Sequence, residues 1–480
     1  MIPPNNRPMR AVDALMKKTP VCTTPAFLAL ACFGAMLAAQ DPPERAPGPG
    51  ASAHVVYQSK SDGGLRYTWT VPKDYDGVRK CAMTVILHGT GLDYRWGHLN
   101  NRPDTFRPDD VVVSVDGTSQ GQGTSKLFLG ERADGDAFHT FLDEMLERFA
   151  VDHVFLYGHS QGSFFAVWYA GEHPTDVDGV VAHASGAWNW SKTGKDLRRV
   201  AISFMHGTRD PVVPFAQSVA ARDHYLGEGL PLVRLRRLPF YNHWPNGVRA
   251  DEELSWCEGM TTGDAERTLA LAKRIASAKP ADEYQWVTVP GFGAARQILR
   301  RIETGEPRAF DAPPDAKIKA AAHELAEAIE RHAKTHLAAL QAQVSSKKQL
   351  VFTAKNDWLG HLVALREDFR GVDCVEEYFR TLGWDKLLEQ HQKEATPIVT
   401  ALYGDDDQAA CRATLAGLPK AFLFEAFPSD FAERIAAWRG KAKDWKLGKK
   451  ELAALDVVER WPVAWTEGAK AYEGLWRKRD

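Results

Sequence analysis

The stretch VDHVFLYGHSQGSFFAVWYAGEHP, Val151 to Pro174, sets the architecture of this 480-residue chain. Val154 to Tyr157 form an apolar run that reads as a buried strand. The pattern breaks at Gly158-His159-Ser160-Gln161-Gly162 and resumes at helical spacing through Ala166, Tyr169 and Ala170 until Pro174 stops it. A G-x-S-x-G run between a strand and a helix holds its serine in a strained turn at the tip of a sheet, with glycines where a Cβ would strike neighbouring backbone. Ser160 Oγ is then presented beside a helix N-terminus, which favours negative charge. The plainer alternative is a tight strand–helix turn carrying an ordinary serine. If Ser160 is a nucleophile, it needs a base and an orienting acid from elsewhere in the chain.

Moving outward, the same strand–helix alternation continues on both sides. His54–Gln58 and Leu65–Pro72 read as a hairpin across Ser61-Asp62-Gly63-Gly64. Met83–Leu87 and Val111–Val115 are continuous apolar strands, ending in His88-Gly89-Thr90-Gly91 and Asp116-Gly117. Phe138–Phe149 is an amphipathic helix. Val177–His183, Val200–Met205 and Leu232–Leu238 are further strands, with a helix over Ala216–Tyr225. Such strands call for a mostly parallel sheet covered on both faces, with ligands bound beyond the strands' carboxyl ends.

A serine hydroxyl becomes a useful nucleophile only when a base takes its proton and a carboxylate orients that base. In a sheet of this kind the chain order is Ser, acid, His. Fifty residues after Ser160, Asp210 follows the strand ending in His206-Gly207; thirty-three residues further, His243 follows the last strand. A turn or helix-capping aspartate and a loop histidine stacked on Trp244 are the plainer alternatives. His224 is the rival base, but it lies in a helical pattern. His206 precedes the acid and His159 lies within the elbow, so neither fits that order. The backbone N–H groups of Gln161 and Thr90 are the candidate oxyanion donors. Tyr94, Trp96, Trp188, Trp190 and Trp244 cluster in rim loops, where rings could stack on a substrate ring or serve as packing.

Together, His88-Gly89-Thr90-Gly91, Gly158-His159-Ser160-Gln161-Gly162, His206 to Pro214 (HGTRDPVVP) and His243-Trp244-Pro245 resemble the α/β-hydrolase esterases grouped with polyhydroxybutyrate depolymerases and feruloyl esterases. Dienelactone-hydrolase-like and prolyl-oligopeptidase-like enzymes share much of the pattern. The resemblance covers about Val55 to Gly247, and it departs from the depolymerase type in placing His243 and Trp244 side by side. It implies an α/β-hydrolase fold, a Ser160–Asp210–His243 triad, an acyl-enzyme, and no metal or organic cofactor. The expected function is cleavage of carboxylic esters. The rivals are a prolyl-oligopeptidase-type peptidase and a catalytically inactive binding or scaffold protein.

Composition agrees with a globular chain: 44% hydrophobic and 25% charged residues. A formal net charge of −2 leaves no basic surplus for nucleic acid. The expected partner is an ester substrate, small or polymeric. The N-terminal residues 1–39 read as an export signal. Met16-Lys17-Lys18 is the positive segment, Ala26 to Ala39 the apolar one, and Leu37-Ala38-Ala39 the cleavage site, with Met16 the natural start. An uncleaved anchor is the alternative; beyond the signal no apolar run is long enough to span a bilayer. A Pro/Gly-rich tether occupies residues 40–53, and the catalytic domain 54–260.

Residues 261–480 read as helical. Ala265–Ser277, Gly293–Ile302 and Asp315–Val344 are the helices, with Thr304–Pro314 as a linker. Ile318, Ala322, Leu325, Ile329, His332, His336, Leu340 and Val344 form one packing stripe, in which the His332/His336 pair lacks a third metal ligand. Arg439, Lys441, Lys443, Lys446, Lys449 and Lys450 suit a solvated helical face. Of six cysteines, Cys22 and Cys32 fall in the signal. Cys81, Cys257, Cys374 and Cys411 form no C-x-x-C zinc pair, and their disulfide pairing is open.

Overall fold

A computed structural model describes residues 52–58, 64–97, 105–121, 126–188, 190–207, 210, 212–238, 241–278, 291–345, 365, 366, 368–384, 386, 407–417 and 431–458. The export signal, nearly all of the expected tether, and Cys22 and Cys32 lie outside these residues.

The strands of the main sheet are β1 (Ser52–Gln58), β2 (Arg66–Thr70), β3 (Cys81–Leu87), β4 (Val111–Val115), β5 (Val151–His159), β6 (Gly179–His183), β7 (Ala201–Gly207) and β8 (Val233–Leu238). β1 thus starts two residues ahead of the expected hairpin, at the end of the Pro/Gly-rich run. They form one eight-stranded sheet in the order β1-β2-β4-β3-β5-β6-β7-β8. Only β2 runs against the others, pairing antiparallel with β1 and β4. The inner strands are buried along nearly their whole length, so both faces are apolar. One face is covered by α1 (Arg132–Arg148), α2 (Gln161–Glu172) and α3 (Phe215–Gly227), whose Phe138, Phe165, Tyr169 and Tyr225 share a core with Val85, Leu156 and Phe204.

The other face carries α4 (Gly247–Thr261), α5 (Ala265–Ser277), α6 (Phe292–Thr304) and α7 (Ala316–Ser345). Their apolar side chains and those of Phe369 and α8 (Asp373–Thr381) belong to one continuous core with Ile86, Phe155, Val181 and Met205 of the sheet. Hydrophobic periodicity predicts no helix over 247–261, because α4 shows no amphipathic stripe. Nearly all of it is buried, and its charged residues are paired inside: Arg249 with Glu252, and Glu258 with Arg107 and Arg267. The expected linker at 304–314 is stapled rather than loose. Buried Arg301 donates from Nε to the Arg308 carbonyl (2.8 Å) and from Nη1 to the Gly259 carbonyl (2.7 Å), and its guanidinium stacks on Phe310.

On α7 the buried positions are Ala322, Ala326, Ile329, Ala333, His336 and Leu337, while His332 stacks on Phe292. The side chains of Leu340 and Val344 lie outside the described residues. Helices α9 (Asp407–Gly417), α10 (Phe431–Lys441) and α11 (Lys449–Val458) pack on one another, and Cys411, Leu415, Ile435, Trp438 and Leu455 are buried on them. The lysines from 441 to 450 are exposed as expected, although a turn rather than a helix carries 442–448. Cys81, Cys257, Cys374 and Cys411 are unpaired thiols, and none of the described helices is long and apolar enough to cross a membrane.

Candidate active site

Parallel pairing brings the ends of β3, β5, β6, β7 and β8 to one sheet edge. Leu87 pairs with Gly158, His159 with His183, His183 with Met205, and Gly207 with Leu238. Ser160 sits just past β5 at φ 51°, ψ −121°, a conformation that costs a non-glycine residue on the order of 1–3 kcal/mol. Its surroundings hold it there. The Ser160 N–H donates to the His183 carbonyl (3.0 Å), while its own carbonyl accepts from the Ser163 N–H (2.9 Å) and hydroxyl (2.5 Å). A Cβ on Gly158 would lie 2.4 Å from Ser163 Cα, and one on Gly162 would lie 2.5 Å from the Leu87 and His88 carbonyl oxygens. Both glycines are therefore steric requirements of the elbow, as the G-x-S-x-G pattern predicts.

Asp210 and His243, far apart in sequence, are hydrogen-bonded: Nδ1 of His243 donates to Asp210 Oδ2 at 2.7 Å. The plainer alternatives for Asp210 are half right. Oδ1 accepts the Val212 and Val213 N–H groups (2.8 and 2.9 Å) and so builds the turn, leaving Oδ2 for imidazole. Burial pushes this carboxyl up, but hydrogen bonds from His206 and His243 outweigh it and hold it below the usual carboxylate range. His243 is partly exposed, and its ring lies 4.9 Å, centroid to centroid, from that of His159, the residue before Ser160. His224 stands exposed on α3 against Tyr225.

His206 and His159, which the Ser–acid–His order excludes as bases, take part in the site's scaffolding. His206 Nε2 lies 3.2 Å from Asp210 Oδ2 and 2.9 Å from the Val213 carbonyl, both acceptors, so this nitrogen carries the proton. Its Nδ1 faces the Ser218 hydroxyl at 2.7 Å, which in turn reaches the Ser185 carbonyl. The four-residue spacing in His206-Gly-Thr-Arg-Asp210 was the signal for this contact. His159 and His183 meet Nδ1 to Nδ1 at 3.0 Å, which requires one ring to donate and the other to accept. Burial, and then the nearby His243, lower the His159 pKa to about 3, and burial lowers His183 likewise. No sequence pattern announces this pair; β5–β6 register makes it.

Of the candidate oxyanion donors, Gln161 follows Ser160 directly and Thr90 follows Gly89, whose backbone approaches Ser160. The Gln161 N–H heads α2, where it has no intrahelical acceptor. Thr90 is exposed in a turn closed by the Leu92 N–H on the Gly89 carbonyl, and a Cβ on Gly89 would lie 3.1 Å from Ser160 Cβ. The preceding His88 is buried with its tautomer fixed: Nδ1 faces the Gly89 carbonyl (2.9 Å) and Nε2 accepts the Gly117 N–H (3.1 Å).

The aromatics divide. Trp244 is 41% exposed and stacks on His159; Trp188 is half-buried and stacks on Phe164 and on exposed Trp190. Tyr94 and Trp96 do not offer the open ring faces expected at a rim. Tyr94 is buried beneath Arg66 and Arg95, and Trp96 is buried with its ring stacked on His159 at 5.1 Å. The Tyr94 backbone is tied to Asp116 while two guanidinium groups cover its ring, and the elbow histidine covers Trp96. Among the described residues, the cluster suited to a metal ion is His139, His173 and Asp176, outside this site.

Residues 117–246 match the family described as the alpha/beta hydrolase fold, about a quarter of the chain. Among solved structures, the chain is 20% identical to a thermostable esterase (TM-score 0.33, covering 42% of this chain and 61% of that one). It is 16% identical to the Bacillus cereus carboxylesterase (TM-score 0.34, 40% and 93%) and 17% to a carboxylesterase from Mesorhizobium loti (TM-score 0.35, 42% and 98%). The chain therefore spans less than two thirds of the first of these proteins and nearly all of the other two. No curated protein matches it. The α/β-hydrolase fold expected from the elbow is the fold of this chain.

Proposed function

We propose that this α/β hydrolase is a serine esterase that cleaves carboxylic esters through an acyl-enzyme on Ser160. The observation that carries this reading is the 2.7 Å bond from His243 Nδ1 to a carboxylate whose other oxygen is fixed by two backbone N–H groups. That bond fixes the proton on Nδ1 and leaves the Nε2 lone pair free to take the Ser160 hydroxyl proton. Ser160 Oγ adds to the ester carbonyl, and the Gln161 and Thr90 N–H groups receive the oxyanion. Collapse expels the alcohol, which takes its proton from Nε2. Water, deprotonated by the same nitrogen, then releases the acid. The exposed ring of Trp244 and the Trp188–Trp190 pair are the substrate-binding candidates. The positive and apolar segments from Met16 to Ala39 support export.

The test is covalent labelling with a fluorophosphonate, followed by turnover of p-nitrophenyl acyl esters, feruloyl esters, hydroxyalkanoate oligomers and peptide anilides. Labelling at Ser160, with ester cleavage reduced by several orders of magnitude in Ser160→Ala, is expected. Cleavage of anilides but not esters would make the protein a peptidase, and an unlabelled Ser160 would make it an inactive binding domain.

A further inference from the structure

On the α1–α2 side of the sheet, three groups of metal-ligating chemistry converge. His139 lies on α1, while His173 and Asp176 lie in the segment that follows α2. One donor atom from each falls within 4.8 Å of the others. His139 Nδ1 is 2.7 Å from Asp176 Oδ2, and His173 Nδ1 is 3.7 Å from the same oxygen. A tetrahedral ion with bonds of ~2.0–2.1 Å sets donor–donor edges of ~3.4 Å, so these two spacings straddle the requirement. α2 separates the cluster from Ser160 by about 18 Å of helix.

Groups able to orient the ligands lie beside them. His139 Nε2 faces Asp143 Oδ2, one helical turn along α1, at 3.7 Å. That is longer than a hydrogen bond; a metal-bound imidazole characteristically donates its other N–H to a carboxylate, and Asp143 is the carboxylate nearest this nitrogen. The Tyr169 hydroxyl donates to Asp176 Oδ2 at 2.6 Å and holds that carboxylate. The segment is braced by backbone bonds from the His173 N–H to the Tyr169 carbonyl (2.8 Å) and from the Asp176 N–H to the His173 carbonyl (3.1 Å). All three ligands are partly exposed, so an ion can reach them from solvent.

We infer that His139, His173 and Asp176 form a binding site for a first-row divalent transition ion of the zinc type, with water completing the coordination. Two imidazole nitrogens and one carboxylate oxygen suit such an ion far better than calcium or magnesium, which take oxygen ligands. Binding takes the Nδ1 lone pair of the neutral His139 ring, whose single proton then sits on Nε2, the nitrogen that faces Asp143. The His139 and His173 rings lie within 17° of parallel. Coordination therefore requires His139, the more exposed of the two, to turn about its Cβ–Cγ bond. The site links α1 to the end of α2 and is independent of the esterase reading.

The test uses the full chain freed of metal by chelation and titrated with Co²⁺ by visible absorption and with Zn²⁺ by calorimetry. One equivalent, with the Co²⁺ spectrum of a low-coordinate nitrogen/oxygen site, is expected. Asp143→Asn should bind roughly 10–100-fold more weakly, and His139→Gln/His173→Gln should lose saturable binding. No saturable uptake by the native chain, or unchanged uptake by the double variant, overturns the inference. X-ray absorption of the Zn²⁺-loaded native protein needs no variant to fold: two imidazoles in the coordination shell support the site, and fewer overturn it.

Discussion

Asp210→Asn is the most searching perturbation of the candidate site, because the structure dictates how the amide must lie. The Val212 and Val213 N–H groups both point at Oδ1, so the amide oxygen has to occupy that position and the NH₂ replaces Oδ2. Donor N–H groups then face His243 Nδ1 at 2.7 Å and His206 Nε2 at 3.2 Å, where protons now sit. His206 can keep its proton on the Val213 carbonyl, but His243 must shed or move its own to avoid the clash. For His243 the proton goes to Nε2, the atom that has to accept from Ser160. The base is thus converted into the wrong tautomer with little change in shape. The equivalent change in a serine protease lowers kcat by roughly 10⁴, or about 5 kcal/mol of transition-state stabilisation. The same loss is expected here in p-nitrophenyl ester turnover, with the circular dichroism spectrum unchanged because both turn-forming bonds survive. A folded Asp210→Asn enzyme within tenfold of the native rate would refute the Ser160–His243–Asp210 reasoning.

Further outcomes follow from the same geometry. The His159 pKa is lowered to about 3 from 6.5 by burial, so between those values the unfolded chain binds a proton the folded one does not. Stability present above pH ~6.5 should then fall by ~1.4 kcal/mol per pH unit on acidification, with His88 and His183 adding in the same direction. Urea unfolding from pH 7 to 5 should show a shallower slope in His159→Phe, and equal slopes would count against a neutral buried His159. Gly162→Ala places a Cβ 2.5 Å from two backbone carbonyls and should cost roughly 1–3 kcal/mol or more; an unchanged urea midpoint would contradict the close approach. Glu258→Ala strips a partner from Arg107, which is 1% exposed and held otherwise by Asp110 (2.7 Å) and Ser255 (3.0 Å). A loss of ~3–5 kcal/mol is expected in the same assay, and less than 1 kcal/mol would show that the buried charge is not strained by losing it.

Sequence alone determined whatever is encoded locally or by order along the chain. The strand–turn–helix at Ser160 is legible because apolar runs, two sterically required glycines and a stopping proline are neighbours in sequence. Asp210 and His243 are legible because parallel strands all end at one edge, so residues just past successive strands must gather there. Tertiary structure alone decided what those residues touch. It gave one oxygen of Asp210 to a turn and the other to two histidines, joined His159 to His183 through strand register, and buried Tyr94 and Trp96. It also laid α4 to α7 on the sheet as part of a single core, hiding α4 from any reading by periodicity. The division has a physical cause: backbone preference acts over a few residues, whereas hydrogen-bond partners and burial depend on which distant surfaces come to share a face.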